Sequence, residues 1–187
     1  MGIFDSIPNP APVQPAGGTQ QTSKTVVFDE MPETLEQMQA LPGASLTDPL
    51  EVAALTVAAL CVYPSNKDES IRMLNFLKGP QPLSNYDIQF LRDRFMDADY
   101  VPRSYMNGAT PQNNYMPQRP FSVTVFETPH SRDNINEGYL TIYITSGGAD
   151  SPRYVRLRTK PSTGQWFLWE QFLLSGIRIP DAANPWA

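Results

Sequence analysis

Two groups of residues have the side-chain chemistry of a recognition surface. Between residues 100 and 119, Tyr100, Tyr105 and Tyr115 are interleaved with Arg103, Asn113 and Asn114. Flat aromatic surfaces, a fork-shaped cation and amide groups are the mixture that binding sites favour. The second group begins at Arg153 and continues with Arg156, Arg158 and Lys160. The last three are spaced i, i+2, i+4, so an extended chain projects them on one side. Arg153 adjoins Gly147-Gly148, whose backbone N–H groups suit an anion, and Trp169 follows on the next apolar segment. Such a stripe fits an acidic patch on a protein partner or a small anionic ligand. At both places a plainer reading stays open: a proline-pinned loop wrapping a sheet, and a charged face that keeps strands from aggregating.

Catalysis is harder to assemble. Cys61 is the only cysteine and His130 the only histidine, so neither a disulfide nor a zinc site built from several thiols or imidazoles is available. The chain has no GxGxxG, P-loop, GxSxG or calcium-loop motif, which removes the commonest nucleotide and hydrolase solutions. His130 sits in the segment Thr128-Pro129-His130-Ser131-Arg132-Asp133, too close in sequence to its neighbours for the convergence a Ser-His-Asp relay requires. Asp68 and Glu69 suit the first turn of a helix, and Asp97 and Asp99 lack a cation-loop spacing. No catalytic residue, metal or cofactor is therefore assigned.

Charge and hydropathy narrow the partners. The net charge of −5 argues against nonspecific nucleic-acid binding. The balance is uneven, however, with five bases against two acids in residues 151–187. The longest apolar stretch, Val52 to Tyr63, is far short of the roughly 20 residues that span a bilayer. The amino terminus has no secretory pattern, although Gly2 and Ser6 match an N-myristoylation signature. A cytoplasmic protein without integral membrane association is expected.

The elements that must position these residues are legible from their punctuation. Nineteen prolines fall in two classes. Pro8, Pro10, Pro12 and Pro15 lie in a stretch of small and polar residues that reads as part of a flexible arm over residues 1–28, tipped by Ile3, Phe4 and Ile7. Most of the others mark corners of a single domain over 29–187. A short helix is expected over 33–40. A second starts at the Asp48-Pro49-Leu50-Glu51 signal and runs, apolar nearly all round, to Tyr63. A third covers 67–78 and a fourth starts at Ser84. Beyond a long loop, segments 121–127, 139–145, 153–159 and 165–172 alternate apolar and polar residues or are rich in β-branched and aromatic ones. Short links between them predict an antiparallel meander, so the class is α+β: three to four helices packed on about four strands. Trp166 and Trp169 fall on opposite faces of the last strand. If the carboxy-terminal tail leaves the outer one uncovered beside the arginines, it marks a partner site.

The strings DPLEVAALTVAALCVYP (48–64), MLNFLKGPQPLSNYDIQFLRDR (73–94), DYVPRSYMNGATPQNNYMP (99–117) and SGGADSPRYVRLRTKPSTGQWFLWEQFLL (146–174) together resemble an uncharacterised bacterial domain family of Clostridia-type Firmicutes. That resemblance implies a bacterial cytosolic setting and brings no catalytic residues. The order of helices and meander, with a Gly-x-Trp strand from Gly164 to Trp166, is also similar to the NTF2-like cone fold. The leading expectation is a noncatalytic protein-binding or scaffold module using the 100–119 loop and the sheet face. The alternatives are a small-molecule or enzymatic domain with a pocket between helices and sheet, and an accessory protein of a stress-response or toxin-immunity system.

Overall fold

The computed structural model describes residues 22–187. The expectations placed on Gly2, Ile3, Phe4, Ser6, Ile7 and the prolines at 8, 10, 12 and 15 lie outside the described residues.

The fold is organised by one helix. Asp48 accepts a hydrogen bond from the Leu50 amide at 2.9 Å and Pro49 takes the first helical position, so the helix starts where the sequence predicts. This element, α2 (Pro49–Val62), has eleven buried residues among its fourteen, so it has no solvent face. Its polar interruption is satisfied internally, since the Thr56 hydroxyl donates to the Val52 carbonyl at 2.9 Å. Before it comes the short α1 (Leu35–Gln39), capped by Thr34. After it come α3 (Lys67–Lys78), capped by Asn66, and α4 (Asn85–Phe95), opened by a reciprocal Ser84–Asp87 capping box. Ser70 fastens α3 to α2 by donating to the Ala59 carbonyl at 2.7 Å.

Five strands form one antiparallel sheet in sequence order: β1 (Ser23–Phe28), β2 (Phe121–Phe126), β3 (Tyr139–Ile144), β4 (Arg153–Lys160) and β5 (Gln165–Gln171). The α+β class and the meander are as expected, with one strand more than the four anticipated. The addition is β1, cut from residues assigned to the arm, so the arm boundary at residue 28 falls inside the fold. The alternation of SKTVVF is brief, and it becomes a strand because β2 offers a partner from Ser23↔Phe126 to Phe28↔Phe121. Lys24 then ties it to the start of α2, reaching Asp48 at 2.7 Å and Glu51 at 2.6 Å.

The inner sheet face carries Val123, Val125, Leu140, Ile142, Ile144, Val155 and Leu157, all buried against the helices. β2 and β3 pair over only two positions, Val125↔Ile144 and Phe126↔Tyr143. The 100–119 loop fills the rest of that β2 edge. The Asn107 amide donates to the Ser122 carbonyl at 2.9 Å, and the Asn107 side chain donates to the Ser122 hydroxyl at 2.8 Å. A loop of this length holds its place by supplying the hydrogen bonds that a strand would otherwise supply.

Leu60 is wholly buried on α2. Leu60→Ala is expected to lower the unfolding free energy by about 2–5 kcal/mol, read as a lower urea midpoint at unchanged slope. Hydrogen bonds to Asp48 and then Glu51 hold the Lys24 pKa above 10.5. Its contribution is therefore complete below pH 10.5 and is lost as the pH rises through the raised value. Lys24→Met should flatten that part of the alkaline stability profile.

Candidate functional site

The aromatic loop residues face inward. Tyr105 is 1% exposed and donates its hydroxyl to the Leu173 carbonyl at 2.6 Å. Tyr115 is fully buried and donates to the Arg178 carbonyl at 2.5 Å. Tyr100 stacks on Tyr115 with ring centroids 5.4 Å apart. Asn113 braces its own turn, accepting from the Thr110 amide and donating to the Gly108 carbonyl. Asn114 supplies the left-handed backbone, φ 57°, that ends this turn. Arg103 lies half-buried on the preceding turn. The loop thus grips the carboxy-terminal tail through tyrosine hydroxyls.

The suggested anion cradle is part of the same clasp. The Gly147 amide donates to the Ser104 carbonyl at 2.8 Å, and the Gly148 amide to the Ser146 hydroxyl at 3.1 Å. A Cβ at Gly148 would stand 2.1 Å from the Tyr115 hydroxyl oxygen, so the close approach requires glycine. Arg153 donates to the carbonyls of Ser151, Ser175 and Gly176 at 2.9, 3.2 and 2.8 Å. Its guanidinium is committed to holding the tail.

The outer sheet face is different. Phe126, Tyr143, Tyr154 and Phe172 form a continuous row, with successive centroids 6.0, 5.6 and 4.6 Å apart. Beside it, Arg158 lies 5.2 Å from the Tyr139 ring centroid and 5.0 Å from that of Trp169, a doubled cation–π arrangement. Tyr139 and Trp169 meet edge to face at 5.7 Å, and Arg158 donates to the Tyr139 hydroxyl at 3.0 Å. A register shift places Trp169 between the pairs Leu157↔Leu168 and Arg156↔Glu170. Next to the inward Leu168, alternation puts its indole on the outer face, while Trp166 packs against the core. Arg156 joins Glu170 at 3.1 Å, and its Nε–H has no hydrogen-bond partner among the described residues.

Two shallow grooves of about 200 and 190 Å³ flank Trp169. The first runs between the helices and the β5 edge, lined by Leu60, Leu74, Phe90, Leu91, Leu168 and Phe172, and the second is lined by Arg158, Phe167 and Pro80. Between them the Lys78 ammonium donates to the Trp169 carbonyl at 3.0 Å, and burial holds its pKa below the usual 10.5. The tail does not reach this area. The Arg178 amide donates to the Gly148 carbonyl at 2.9 Å, which fixes the tail to the clasp instead. Of the sequence candidates, Arg156, Arg158 and Trp169 come together; Tyr100, Tyr105, Tyr115 and Arg153 belong to the clasp. Phe126, Tyr139, Tyr143, Tyr154 and Phe172 complete this face, and no single segment of the sequence marks them as one surface. Cross-strand register, absent from any single segment, joins them.

Burial pushes the Cys61 thiol up to about 12, against the opposing charge of Arg103, so it stays protonated at neutral pH. The His130 ring is 83% exposed and faces Asp133 at 3.1 Å, while the Ser131 hydroxyl accepts from the Thr128 amide at 2.9 Å. Among the described residues no three metal-ligating side chains gather. Residues 30–181 match the family described as a domain of unknown function (DUF6935). No curated protein and no solved structure matches the chain.

Tyr105→Phe and Tyr115→Phe should each cost about 1 kcal/mol of stability, the net worth of one buried hydrogen bond, measured by urea unfolding. Burial raises both phenol pKa values, that of Tyr115 to about 12 and that of Tyr105 further. Their contribution is complete below pH 10, the ordinary phenol value, and is lost as the pH climbs through the raised values. A tyrosinate absorbance titration should show these two ionising last.

Proposed function

We propose that this chain, which belongs to the DUF6935 family, is a noncatalytic protein-binding module acting through the outer face of its sheet. One observation carries the reading: Trp169, Arg158 and Tyr139 form an aromatic–cation cluster on the outer sheet face, with both rings half-buried and Arg158 exposed. Partly exposed aromatic surface beside charge is typical of the centre of an interface, where Trp, Tyr and Arg dominate the binding energy. The two flanking grooves accept apolar side chains of a partner, and Arg158 and Lys160 face its carboxylates.

A ligand pocket between helices and sheet, as the likeness to an NTF2-like cone implies, would be confined to the groove of about 200 Å³ that Leu60, Leu74, Leu91 and Leu168 line between the helices and β5. Elsewhere Leu55 and Val57 of α2 and Val125, Ile142 and Val155 of the sheet are all buried. The proposed setting is the bacterial cytosol, where a single thiol kept among core residues needs no protection.

The test uses the full chain as bait in a native bacterial lysate, against Trp169→Ala and Arg158→Glu. The expected result is a specific protein lost from both variants, with at least a tenfold weaker Kd for each once that protein is purified, and melting temperatures within a few degrees of the parent. Equal retention by all three chains overturns the proposal.

A further inference from the structure

We infer that the row Phe126–Tyr143–Tyr154–Phe172 is a docking strip for a polyproline segment, and that residues 8–15 of the same chain are its occupant. The inference rests on the reading of the outer face as a binding surface and names what one part of that face binds. Three observations converge on it.

The first is where the chain leaves the fold. Ser23 pairs with Phe126, the first ring of the row, and the Thr22 carbonyl accepts the Glu127 amide at 2.8 Å. The described chain therefore begins, at Thr22, beside one end of the row, on the sheet edge formed by β1.

The second is length. The row crosses β2, β3 and β4 to the end of β5, three strand spacings or roughly 15 Å. Residues 8–15 read PNPAPVQP, and eight residues in polyproline II geometry cover about 25 Å. Residues 16–21 supply up to roughly 20 Å more, enough to bring the segment onto the strip from its near end.

The third is chemistry. A polyproline helix offers flat pyrrolidine faces and backbone carbonyls with no internal partners, and proline removes its own N–H. Such a ligand is rich in acceptors and suits aromatic strips. The face has matching donors in the hydroxyls of the half-buried Tyr143 and Tyr154, with the Arg156 Nη1 held by Glu170 and its Nε buried. Phe172, which ends the row, is 41% exposed. A segment tethered at this distance acts at an effective concentration near millimolar, so even weak stacking keeps the strip occupied. A partner rich in proline would have to displace it.

The experiment compares the full chain with a variant carrying Pro8→Ala, Pro10→Ala, Pro12→Ala and Pro15→Ala. The probe is a fluorescent synthetic peptide of residues 6–17, titrated by anisotropy, alongside aromatic-ring NMR of both chains. The expected result is binding at least tenfold tighter to the proline variant than to the parent, shifted Tyr143 and Tyr154 ring resonances between the two chains, and loss of peptide binding when Phe172→Ala is added. Equal or absent peptide binding with unchanged rings overturns the strap. Ring shifts that depend on protein concentration also overturn it, replacing the occupant with the arm of a second copy. Either failure leaves the reading of Trp169 and Arg158 standing if their variants still lose the partner protein.

Discussion

A helix without a polar side must be enclosed on every side, and α2 imposes that demand on the whole chain. Its run from Leu50 to Val62 is apolar almost without interruption, and each exposed Leu or Val would forfeit roughly 1.5–3 kcal/mol of burial. The inner face of the sheet covers one side and α3 another. The turn Pro102–Tyr105, with Val101 and Tyr105 buried, closes a third. These elements are committed to α2, and their sequences alternate or cycle so that one face can meet it.

That enclosure is why the tyrosine-rich loop is architecture. β2 and β3 diverge after two paired positions, and an open edge inside a fold would leave backbone donors and acceptors without water or partners. Asn107 supplies the missing ladder bonds, while Tyr105 and Tyr115 reach through to carbonyls of the tail. Arg153 ties the tail from the other side. The sheet, by contrast, has only one face engaged with α2. Its second face carries six aromatic side chains and two arginines in register and takes no part in enclosing α2.

Local signals made most of the elements legible. Asp48, Asn66 and Ser84 cap helices through atoms two or three residues away, and the alternation of YLTIYI and RYVRLR sorts side chains to faces without outside help. What depended on distant partners was not legible. β1 exists because β2 lies beside it, and six residues after a proline-rich stretch give little sign of that. Tyr105 and Tyr115 have the composition of a binding loop, and only the carbonyls of Leu173 and Arg178, more than sixty residues on, make them braces. The sequence placed Arg158 in a one-sided stripe and Trp169 on the face opposite Trp166, and only the pairing of β3, β4 and β5 brings both together with Tyr139.

Native-state hydrogen exchange tests the central claim, that enclosure of α2 governs the fold, most directly. The account predicts that amides from Thr56 to Val62 exchange only through global unfolding, with an opening free energy equal to that from urea denaturation, while α4, where Leu91 is the one buried residue, opens at lower cost. Opening of α2 well below the global value, with β3 and β4 still protected, would contradict it.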